Sequence, residues 1–62
     1  MLDAIRTDFK VVHEGNTYFG SYKIKDGFIE VEHNGKIARV RLGPHDPVVL
    51  ADVLMVELIK NH

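Results

Sequence analysis

A chain of 62 residues holds one domain and leaves no room for a linker and a second core. Its 45% hydrophobic and 27% charged residues exclude a disordered tail, and the absence of cysteine excludes disulfides and thiolate metal sites. A net charge of −1 supplies no bulk attraction to nucleic acid or to an acidic membrane.

The first seven residues read either as the start of a strand or as a short helical turn, through Leu2 and Ile5. The opening MLDAIRTDF carries acids and too short an apolar run for a secretory signal, so a cytoplasmic setting is expected. From Asp8 to Leu42 three two-residue turns are predicted, at Gly15-Asn16, Asp26-Gly27 and Asn34-Gly35. The last two suit type I′ hairpins, and glycine in first place suits type II′. Between them DFKVVHE, TYFGSYKIK, FIEVEH and KIARVRL have strand length and are rich in β-branched and aromatic residues. Strands are therefore expected over 8–14, 17–25, 28–33 and 36–42.

A two-residue loop pairs the residues that flank it, so these turns fix a register. Glu14 should oppose Thr17, Lys25 should oppose Phe28, and His33 should oppose Lys36. Carried along the strands, this sets Asp8, Lys23, Glu30 and Arg39 side by side with alternating sign, as favourable neighbours. It also sorts two faces. Phe9, Val11, Tyr18, Gly20, Tyr22, Ile24, Ile29, Val31, Ala38, Val40 and Leu42 share an apolar side. Asp8, Lys10, Ser21, Lys23, Lys25, Glu30, Glu32, Arg39 and Arg41 share a polar one, the usual division of an antiparallel sheet with one face buried. Gly20 and Ala38 are small where a covering element would come close.

Gly43-Pro44 ends the last strand, and a helix is predicted over 46–61. Asp46 is a good N-cap and Pro47 suits the first helical position. At about 100° per residue, Val48, Ala51, Leu54, Met55, Leu58 and Ile59 form one face, with Leu50 on its margin. Val49, Val53 and Val56 form a second apolar stripe opposite, broken only by Asp52, Glu57 and Lys60. The fold class is α+β: a four-stranded antiparallel meander with one C-terminal helix across its apolar face.

No catalytic, phosphate-binding or paired-carboxylate motif stands out, and one helix on one sheet offers no cleft. An enzyme is not expected, nor a cofactor. Among the histidines, the register puts His13 and His33 at one end on the helix-facing side, about 12 Å apart between Cα atoms. That is long for sharing an ion, with His62 the nearest further ligand, so no metal site is assigned. Tyr18, opposite His13 in this register, reads as a rim residue with a wet hydroxyl.

The expected role is that of a non-enzymatic interaction module. A helix apolar nearly all round wants cover on both sides, and a short chain has little with which to supply it. Val49, Val53 and Val56 are the predicted interface, with a second copy as the expected partner, in a two-fold dimer, or otherwise another protein. The helix is too short and too interrupted to span a bilayer, and has too few basic residues to lie on one. The alternative is a nucleic-acid-binding regulator using the wet face, where Lys23, Lys25, Arg39 and Arg41 are interleaved with Phe19 and Phe28.

Overall fold

A computed structural model describes residues 5–60. Four strands, β1 (Thr7–His13), β2 (Asn16–Lys25), β3 (Phe28–His33) and β4 (Lys36–Arg41), are followed by one helix, α1 (Pro47–Lys60). The strands form a single antiparallel sheet in the order β1-β2-β3-β4, and α1 packs across one face. This is the expected meander with a covering helix. The expected last helical residue, Asn61, and His62 lie outside the described residues, as does Leu2.

Two hairpins take the predicted turns. Asp26-Gly27 and Asn34-Gly35 have positive φ at both residues, as type I′ requires, so Lys25 pairs with Phe28 and His33 with Lys36. The first turn differs. It is Glu14-Gly15, with φ of 52° and 81°, rather than Gly15-Asn16, and His13 pairs with Asn16. All three loops thus place glycine second, where the type I′ twist matches the right-handed twist of the strands.

Moving that turn by one residue changes the β1–β2 pairing by two. Side chains alternate with period two, so both faces keep their membership. The charge row does change. Lys23, Glu30 and Arg39 stand side by side, but Asp8 faces Ser21 instead of Lys23. Continuing the register one step past Thr7↔Tyr22 brings Arg6 beside Lys23 instead.

The core is small. Ile29 and Val31 of β3 are buried beneath Ala51, Leu54, Met55 and Leu58 of α1. Phe9, Val11, Tyr22, Ala38, Leu42, Leu50 and Ile59 pack around them, half-buried. The rings of Phe9 and Tyr22 meet edge to face with centroids 5.5 Å apart. A helix about 10 Å wide cannot roof four strands. Ile24 and Val40, on either side of buried Ile29, are consequently open at the rims of the inner face.

The start of α1 is held as its sequence implies. The Val48 backbone N–H donates to Asp46 Oδ1 at 2.8 Å, and the Leu50 N–H donates to the Asp46 carbonyl at 3.0 Å. The buried stripe is narrower than expected, however. Val48, assigned by periodicity to the core face, is 57% exposed. It stands at the margin of a stripe that runs through Ala51, Leu54, Met55 and Leu58, and one sheet fills only the centre of that stripe.

Candidate functional site

The outward face of α1 is an open apolar surface. Val49 is 60% exposed and Val53 51%, while Val56, third of the predicted stripe, is half-buried. Val48 belongs to the same open surface, and periodicity placed it wrongly because its angle from the core axis is intermediate. The helix therefore shows water a valine ridge on one side while its other side supplies four of the six buried residues among those described. Asp52 and Glu57 flank the ridge and Lys60 follows it, all exposed.

The wet face of the sheet separates into two ends. At the end near the Asp26-Gly27 turn, Phe28 faces Arg41 across β3 and β4, with Arg39 diagonal to it. Both guanidinium groups lie over the ring, 4.6 Å from its centroid for Arg39 and 5.4 Å for Arg41. Lys25 faces Phe28 from the other side and Lys23 stands in the next row. Five of the six residues named for the alternative nucleic-acid face thus converge. Phe19 does not. It pairs with Lys10 near the opposite end of β2, strongly exposed.

Arg6 is a participant that sequence reasoning missed. Its Nη2 donates to Glu30 Oε2 at 3.3 Å and to Glu32 Oε1 at 3.0 Å, reaching over β2 to hold two carboxylates of β3. The signal was available in parity alone: Arg6 is two residues before Asp8 on the same face. Lys23 Nζ also approaches Glu30, at 4.0 Å.

The histidines do not assemble into a site. The corrected register leaves His13 four residues out of step with His33 rather than two, about 16 Å between Cα atoms in a flat sheet. Tyr18 faces Val11, not His13, and its ring meets that of His33 edge to face at 5.8 Å. The Phe19 carbonyl accepts from His33 Nδ1 at 2.7 Å, which leaves the lone pair of the neutral ring on Nε2. His13 Nε2 lies 3.7 Å from Glu14 Oε2, on the adjacent residue. Among the described residues no three His, Asp or Glu side chains are placed to share a metal ion, and no helix is long and apolar enough to cross a membrane.

No family model matches the chain, and no significant similarity is found to a curated protein or to a solved structure.

Proposed function

We propose that this protein is a non-enzymatic association module that pairs with a second copy of itself through the outward face of α1. The observation that carries the reading is the open valine ridge on a helix whose opposite side is already the core. Six buried residues among those described make a thin core, and chains of this size commonly complete theirs by oligomerising.

The ridge is also self-complementary. Asp46, Val49, Val53, Val56 and Lys60 follow one another at intervals of three, four, three and four. That spacing keeps a narrow seam turned toward a partner helix. The two ends of the seam have opposite charge. Antiparallel pairing about a two-fold axis near Val53 brings Lys60 of one protomer toward Asp46 of the other, twice. Three valines alone fall short of the roughly 1,000 Å² that a stable interface buries. Val48 beside them supplies further apolar surface on the same side of the helix. The assembly is a sandwich of sheet, helix, helix and sheet.

Sedimentation across concentration tests it, with Val53→Glu as the variant. The unmodified chain should sediment as a dimer and the variant as a folded monomer. Should the variant unfold instead, Val53→Thr, which keeps the shape of the side chain and adds no charge, is the second variant and should sediment as a folded monomer. A single monomeric species for the unmodified chain at high concentration overturns the reading. So does a variant that stays folded at unchanged mass.

A further inference from the structure

We propose that the corner of the wet sheet face around Phe28 binds single-stranded nucleic acid through its phosphates, independently of any pairing through α1. The net charge of −1 conceals a strong segregation. Arg6, Lys10, Lys23, Lys25, Arg39 and Arg41 lie on the outer face, six of the eight lysines and arginines, against the carboxylates of Asp8, Glu30 and Glu32. Arg6 already engages Glu30 and Glu32. Among the described residues no carboxylate lies within ion-pairing distance of Lys25, Arg39 or Arg41. At the corner Lys23, Lys25, Arg39 and Arg41 stand against the carboxylates of Asp26 and Glu30, so it is electropositive on a chain that overall is not.

Two like charges two residues apart on one strand face repel each other. Here a single ring holds both: the guanidinium carbons of Arg39 and Arg41 lie over Phe28, and both arginines remain exposed. A guanidinium held against a ring can meet a phosphate with parallel hydrogen bonds and loses little freedom in doing so. The cations are spread rather than convergent. Neighbouring strands are about 4.8 Å apart and same-face residues about 6.7 Å apart along a strand. A small anion would touch one or two of them. A chain of phosphates touches several.

The shape favours one strand over two. A shallow depression of about 310 Å³ beside the ring is lined by Lys23, Lys25, Asp26, Phe28, Glu30 and Arg39. Its volume suits one unstacked nucleotide, whose base can lie on a guanidinium plane. A membrane is the poorer match. Among the described residues the one apolar side chain lining the corner is Phe28, half-buried under its arginines, whereas surface-bound proteins present apolar side chains among their cations.

The test is a titration of a fluorescent single-stranded oligonucleotide, followed by anisotropy at low salt. Binding is expected, with log K falling against log salt at a slope of about −2 to −3, as three or four released counterions require. Arg39→Gln with Arg41→Gln should weaken it at least tenfold while far-UV circular dichroism stays unchanged. Lys10→Gln, on the same face but at the other end of the sheet, should change it less than twofold. Failure to bind at low salt overturns the proposal. Equal weakening by Lys10→Gln and by the paired arginine change also overturns it, since that is diffuse attraction rather than a site. Tighter binding to vesicles rich in phosphatidylserine than to the oligonucleotide assigns the corner to membranes and overturns it as well. A Val53→Glu chain that is folded and monomeric should bind the oligonucleotide with the same slope, which separates this site from the interface on α1.

Discussion

Met55 lies directly over Gly20, in the space that any side chain at that position would need. The contact explains a glycine in the middle of a ten-residue strand, where glycine otherwise weakens pairing. A Cβ built at position 20 would overlap Met55 Cε and would stand 2.6 Å from the Glu32 carbonyl oxygen. The methionine can move. The carbonyl belongs to the neighbouring strand and cannot.

Gly20→Ala is therefore expected to destabilise the fold by about 1–3 kcal/mol, the range of an overpacked core. Urea unfolding measures it. Because the backbone clash remains when the methionine is cut back, Gly20→Ala in a Met55→Ala background should still be less stable than Met55→Ala alone. Equal stability of those two chains would assign the whole restriction to the side chain.

The first turn carries a residue poorly suited to its conformation. Glu14 has φ of 52° in the position that Asp26 and Asn34 occupy in the other two hairpins. Asn and Asp tolerate left-handed backbone better than Glu does, through local hydrogen bonds of a short polar side chain. Glu14→Asn should raise stability by roughly 0.5–1 kcal/mol, which in a domain of this size is a few degrees in Tm. A thermal melt by circular dichroism reads it directly, and a lowered Tm would contradict a type I′ turn at Glu14-Gly15.

Arg6 ties the segment before β1 to the middle of the sheet through Glu30 and Glu32. Its side chain is 32% exposed, so solvent screening reduces what the ion pairs contribute. Arg6→Gln should cost about 1 kcal/mol. The diagnostic is salt: raising sodium chloride from 0.05 to about 1 M should narrow the stability gap between the two chains, since the Debye length falls to about 3 Å. A gap independent of salt would mean that Arg6 acts through packing of its stem rather than through charge.

Much of the fold is local in origin and could be read from short stretches. Asp26-Gly27 and Asn34-Gly35 each admit one tight hairpin, and Asp46-Pro47 each admit one role at a helix start. The division of the sheet into a polar and an apolar face was legible too. It depends only on odd and even positions, and it survives a turn displaced by one residue. The valine ridge was read from angular spacing alone.

Competition between neighbours was not legible. Around Gly15 two adjacent dipeptides compete for the turn, both of types that fit the strand twist, and the pairing with β2 along the whole of β1 is that of Glu14-Gly15. That choice removed Asp8 from the charge row, carried His13 away from His33, and set Arg6 within reach of Glu30 and Glu32. Val48 and the open rims at Ile24 and Val40 were equally out of reach, because they depend on how much of a four-stranded sheet one helix can cover. The sequence by itself determined the elements, their order and which side of each is apolar, since those follow from backbone chemistry and period. Only the tertiary structure decided which charges meet and which oily side chains stay wet, since those follow from distances between segments far apart in the chain.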